Sequence, residues 1–199
     1  MSFSIDGKTV IVTGAANGIG AALARHFAEN GANVMCADID EKALKKDLGE
    51  SADDSNVRYF AGDLREKLTL ANLLSATVDA FDRVDVLVNA SRQVATTDPL
   101  DMDDETVEKL LQQNLMTSLR LSQMVAKRMI KQDEEQDHEF AGTIINLSSI
   151  AARLTQPELL AYSVSTAALE QMTRSMAVAL AKHRIRAVSY THLRAHETS

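Results

Sequence analysis

A β-branched run, Val10-Ile11-Val12, passes directly into Thr13-Gly14-Ala15-Ala16-Asn17-Gly18-Ile19-Gly20, and helical spacing follows with Leu23 and Phe27 on one face. Few structures accept three glycines between a strand and a helix. Glycine permits a tight turn, lets another group approach the backbone, and lets the helix pack close on the strand. The first turn of the helix then offers unpaired N–H groups and the positive end of the helix dipole. Together these favour a bound diphosphate. A second strand ends at Asp38, within the stretch of about 20 residues expected for an acid that holds a dinucleotide ribose. A carboxylate there accepts from both ribose hydroxyls and repels a 2′-phosphate. No Arg or Lys lies between Thr13 and Gly20, and none follows Asp38 before Lys42. NAD(H) is therefore expected, with NADP(H) less favoured. Taken singly, Asp38 reads equally well as a polar strand end, and the glycines as an ordinary turn.

The alternation continues along the chain. Strand patterns fall at 9–12, 33–37, 57–61, 84–88 and 143–147. Between them run helical spacings: Val107, Leu111, Ser118, Leu121 and Val125 lie near one stripe, and Leu169, Met172, Met176 and Leu180 on another. Repeated strand–helix–strand units predict an α/β fold, a doubly wound Rossmann-type parallel sheet in a single domain. The charge run 133–139 reads as a solvated loop before the fifth strand.

Charge and composition exclude several classes. The net charge of −7 over 199 residues disfavours binding to a nucleic-acid backbone. No apolar run approaches the length of a membrane span. Cys36 is the only cysteine, so neither an internal disulfide nor a cysteine-rich zinc site can form. Without a secretory signal pattern at Met1, a reducing cytoplasm is the expected location.

The spacing T-G-x-x-x-G-I-G resembles that of the short-chain dehydrogenase/reductase family, and the resemblance extends over most of residues 1–186. It implies an oxidoreductase acting on a small alcohol or ketone, and a homodimer or homotetramer through the helices 103–131 and 159–182. By this resemblance Gly14, Asn17, Gly18, Ile19, Gly20 and Asp38 hold the cofactor. Gly62-Asp63-Leu64 resembles the element that touches the adenine, with Asp63 and Leu64 as contacts. The family's fourth strand ends in N-N-A-G. Here Asn89-Ala90-Ser91-Arg92 keeps the first Asn, so Asn89 is expected to brace the cofactor pocket while the nicotinamide wall is altered. Arg92 reads as a surface residue or as one that reaches a substrate anion, the surface being favoured. Asn114, Ser149 and Tyr162 match the family's catalytic Asn, Ser and Tyr; Ser149 lies thirteen residues before Tyr162, and Ser148 is the less favoured neighbour.

The family's Tyr-x-x-x-Lys ends here in Thr166. A free tyrosine titrates near 10, and the family's lysine favours the phenolate and binds the nicotinamide ribose. Thr166 brings no charge. Three readings stand: an NAD(H)-dependent dehydrogenase or reductase, a catalytically impaired cofactor-binding protein, and a Rossmann protein of other chemistry. Residues 187–199 depart from the family pattern and resemble the conceptual translation of a sequencing adapter. They are expected to be a non-native tail on a truncated domain spanning 1–186, leaving the fifth strand with an unpaired edge. His192 and His196 stand at i, i+4, a spacing given little weight as a metal site.

Overall fold

A computed structural model describes residues 4–48, 55–136, 140–154 and 156–191. Six parallel strands run β1 Thr9–Thr13, β2 Asn33–Asp38, β3 Val57–Ala61, β4 Val86–Asn89, β5 Gly142–Leu147 and β6 Ile185–Tyr190. Their order in the sheet is β3-β2-β1-β4-β5-β6. The order reverses between β1 and β4, and a crevice opens at such a switch point, beyond the carboxyl ends of the strands.

The central strands β1, β2 and β4 are buried on both faces, which is why they read as largely apolar runs. Val10, Val12, Val34, Cys36 and Val88 pack under helices α1 Gly18–Glu29 and α2 Glu41–Leu48, through Ala24 and Leu44. The alternate residues Ile11, Met35, Leu87 and Ile144 face the other layer. There α3 Lys67–Phe81, α5 Thr117–Gln136 and α6 Leu160–Leu180 contribute Leu70, Leu73, Leu121, Val125, Met129 and Met176. Period-two alternation along each strand thus divides one sheet between two helix layers.

Three expectations need correction. The long helix predicted over 103–131 begins later and is interrupted: α4 Thr106–Leu110 leads into a π-helical segment, Leu111–Met116, before α5. The charge run 133–139 is not wholly a loop, because α5 continues through Gln136; residues 137–139 lie outside the described part. Asp133 forms an ion pair of 2.5 Å with Arg184, so this acid ties the end of α5 to the turn before β6. Finally, β5 has no open edge. β6 pairs with it from Gly142↔Ile185 to Leu147↔Tyr190. Residues 185–188 alternate between buried and exposed, a strand pattern that continues past Arg186, and among the described residues β6 is the edge strand on this side. The rest of the expected tail, 192–199, lies outside the described residues. Among the described residues no helix is long and apolar enough to cross a membrane.

Candidate active site

The cleft at the switch point has a volume of about 520 Å³ and is lined along one side by Gly14, Asn17, Gly18, Ile19 and Gly20. Asn17 precedes α1 in extended conformation, and its side chain does not cap the helix. The first-turn N–H groups are thereby left available to an acceptor in the cleft. Two glycines here are sterically required. A Cβ on Gly20 would stand 2.0 Å from the Gly14 carbonyl oxygen, and Gly14 has φ +68° with a Cβ position only 2.8 Å from Ser91 Cα. Thr13 holds this contact in place: its Oγ1 accepts from the N–H groups of Ala90 and Ser91 at 3.1 Å each. The glycine turn of β1 and the loop after β4 are therefore locked together, with no side chain between them to fill the cleft.

At the end of β2 the Asp38 carboxylate is fixed by two backbone donors. Oδ2 accepts from Ala16 N–H at 3.0 Å and Oδ1 from Asp40 N–H at 3.1 Å. The acid braces the glycine turn, and its remaining lone pairs stay available at the cleft wall. Gly62, Asp63 and Leu64 line the same end. Arg65 pairs with Asp63 at 2.5 Å, and its guanidinium holds the Asp63 carboxyl below the usual carboxylate range. Ile39 and Arg65 also line the cleft, and the sequence motifs mark neither. Ile39 left a signal, an apolar side chain directly after a strand-end acid; it is 67 % exposed.

The residues expected to be catalytic, Asn114, Ser149 and Tyr162, do not line this cleft; two of their neighbours, Gln93 and Gln113, do. Asn114 lies in the π-helical segment and is buried. The irregular carbonyls there are satisfied by hydroxyls: Thr117 Oγ1 donates to Gln112 O and Ser118 Oγ to Asn114 O. Such a bulge re-aims side chains in the middle of a helix, and π-bulges recur at functional sites. Three bonds hold the Asn114 amide. Its Oδ1 accepts from Gln93 N–H at 2.8 Å, and its Nδ2 donates to Gln93 O at 2.9 Å and Ser165 Oγ at 3.1 Å. Ser165 in turn donates to Tyr162 O. Asn114 therefore joins the loop after β4 to the second turn of α6.

The Tyr162 ring is buried in a small apolar cluster with Leu110, Ala151 and Ala161. Among the described residues its hydroxyl has no protein partner, yet it is not one of the buried unpartnered polar atoms. The phenol oxygen thus remains open to solvent. Ser149 begins the short 3₁₀ turn Ile150–Ala152. Its Oγ accepts from Ala151 N–H at 3.2 Å, which leaves the O–H free to donate. Because Ala151 also belongs to the Tyr162 cluster, the two hydroxyl residues are set by one packing unit. Neighbouring Ser148 points elsewhere, with its Oγ donating to Glu170 at 3.4 Å.

Two positions depart from a simple site. Asn89 does not line the cleft; its amide donates to Ser122 Oγ at 3.0 Å and Asn146 Oδ1 at 2.7 Å, and Asn146 continues to Thr173. These bonds tie β4 to α5, β5 and α6. Thr166 is buried one turn after Tyr162, and its Oγ1 bonds back to Tyr162 O at 2.8 Å and Ser163 O at 3.2 Å.

The sequence profile of the family described as short chain dehydrogenase matches residues 8–192. The chain belongs to that family. It is 33 % identical to an uncharacterized oxidoreductase of Thermotoga maritima, over 93 % of this chain and 70 % of that protein. It is 29 % identical to the NAD-dependent glycerol dehydrogenase of Listeria innocua, over 92 % and 68 % respectively. A short-chain type dehydrogenase/reductase from Mycobacterium marinum superposes with a TM-score of 0.86 at 28 % identity, covering 96 % of this chain and 78 % of that one. Short-chain dehydrogenase membership makes the chain an oxidoreductase, and the doubly wound sheet is the fold of these neighbours.

Proposed function

We propose that this short-chain dehydrogenase transfers a hydride between NAD(H) and a small alcohol or ketone. The cleft suits a dinucleotide: the crowded glycine contact keeps its wall free of side chains, the uncapped α1 terminus suits a diphosphate, and the fixed Asp38 carboxylate suits ribose hydroxyls. Gly14, Asn17, Gly18, Ile19, Gly20, Asp38, Asp63 and Leu64 would hold it, with Asn89 bracing from behind. When bound, the nicotinamide ring supplies a hydride acceptor or donor. Tyr162 takes the proton from the substrate hydroxyl during oxidation and returns it during reduction. Ser149 donates a hydrogen bond to the same oxygen, and Asn114 positions Tyr162 through Ser165. The observation that carries this reading is the open phenol of Tyr162 on a buried ring, packed with the turn that Ser149 begins.

Asp38 supports NAD(H) over NADP(H), and the Listeria relative's name agrees. A cytoplasmic enzyme, assembled as a homodimer or homotetramer, fits the family resemblance. Fluorescence titration with both reduced cofactors tests the preference: NADH should bind more tightly, Asp38→Ser should narrow the gap, and tighter NADPH binding would overturn it.

Thr166 favours a second reading, a cofactor-binding protein with impaired turnover. Its hydroxyl is committed to helix carbonyls and it carries no charge. NADH binding without turnover on a broad alcohol and ketone panel would establish that reading instead.

A further inference from the structure

Four charged side chains line the cleft: Asp38, Asp63, Arg65 and Arg92. Asp38 is held by two N–H donors, and Asp63 and Arg65 neutralise each other. Arg92 has no carboxylate partner among the described residues. Its described bond is a single one to a neutral group, from Nη1 to Ser148 O at 3.3 Å. The acid that meets the hydroxyl of the same Ser148 is Glu170, and it is matched by Arg153 and Arg174 at 3.5 and 3.3 Å. The surroundings of Arg92 in the cleft, Ser91, Gln93 and Gln113, are polar and uncharged. A guanidinium carries five donors in a fixed fork suited to a carboxylate, and most of that capacity is unused.

The direction of Arg92 decides which ligand it meets. It stands just beyond β4 and reaches to Ser148 at the end of β5, on the side of β4 away from β1 and its glycine turn. That places its charge at the carbonyl just before Ser149, on the β5 side of the cleft. We propose that Arg92 recognises an anionic group on the substrate, so that the preferred substrate is a hydroxy acid or oxo acid whose carboxylate pairs with Arg92 while Ser149 and Tyr162 hold the reacting oxygen. This rests on the hydride-transfer reading above. It also gives the departure from N-N-A-G a chemical purpose: an arginine in place of the glycine adds a positive charge that meets no carboxylate among the described residues.

The test compares short oxo acids with their methyl esters as ligands of the NADH-loaded protein, read by quenching of NADH fluorescence and requiring no turnover. The acids should bind about tenfold more tightly than the esters, the scale of one charge-assisted pair. Arg92→Gln should abolish that ratio while leaving NADH affinity within about twofold. Arg92→Lys, which keeps the charge and loses the fork, should fall between. Equal binding of acid and ester to the unaltered protein would overturn the proposal while leaving the cofactor reading intact. So would an Arg92→Gln variant that loses NADH affinity and keeps the acid preference, because the anion would then be the cofactor diphosphate. Failure of NADH to bind at all would overturn the hydride-transfer reading, and this proposal with it.

Discussion

Replacing Gly20 by alanine tests the physical core of the cleft. The added Cβ would lie 2.0 Å from Gly14 O and 2.6 Å from Gly14 C. A carbon and a carbonyl oxygen rest at about 3.3 Å or more, so α1 must retreat from β1 by roughly 1 Å. Neither side yields easily. The obstacle is backbone rather than a flexible side chain, and Gly14 is itself pressed against Ser91. Overpacking of this kind costs about 1–3 kcal/mol, and the upper end is expected. The same retreat withdraws the first-turn N–H groups from the cleft, so NADH affinity should fall about tenfold or more. Gly18→Ala is the control. It meets nothing within 4 Å, but φ is +53°, so it should cost only the left-handed strain of about 1–2 kcal/mol. Urea unfolding gives the stabilities and NADH fluorescence the affinities. A Gly20→Ala protein within about 0.5 kcal/mol of the parent, with NADH binding unchanged, would refute the reasoning.

Thr166→Lys should move the pH profile of oxidation downward and raise the neutral-pH rate, about tenfold for every pH unit by which the profile moves. Tyr162→Phe should abolish activity in both backgrounds; no gain from lysine together with full activity in the phenylalanine variant would remove Tyr162 from the chemistry. Burial pushes the Cys36 thiol up from 9.0 to about 12, so the folded protein should resist iodoacetamide at neutral pH and react once unfolded in urea. The sign for stability follows: the unfolded thiol ionises first, so the contribution is present below about 9 and is lost as pH rises toward 12. Cys36→Ala should flatten that alkaline decline in urea midpoints.

Much of this protein is legible in its sequence. The strand runs, the glycine turn and Asp38 depend on local rules: β-branched residues buried on both faces, a turn that only glycine can make, an acid at a strand end. These specify the doubly wound sheet, and its order supplies the crevice. Family spacing marked Ser149, Tyr162 and Asn114, and the missing lysine at Thr166. Other features needed tertiary structure. The break in the predicted 103–131 helix comes from a π segment whose carbonyls are capped by Thr117 and Ser118, and apolar periodicity barely registers one extra residue per turn. Asn89 turned out to face α5 and β5 rather than the cleft, because the pleat at the end of β4 fixes its direction. The partner of β5 is set by hydrogen bonds between strands 43 residues apart in register, Gly142 with Ile185. Arg92 could be read either way in sequence. Only the fold carries it to Ser148 and, among the described residues, leaves it without a carboxylate, because charge compensation depends on which side chains meet in space.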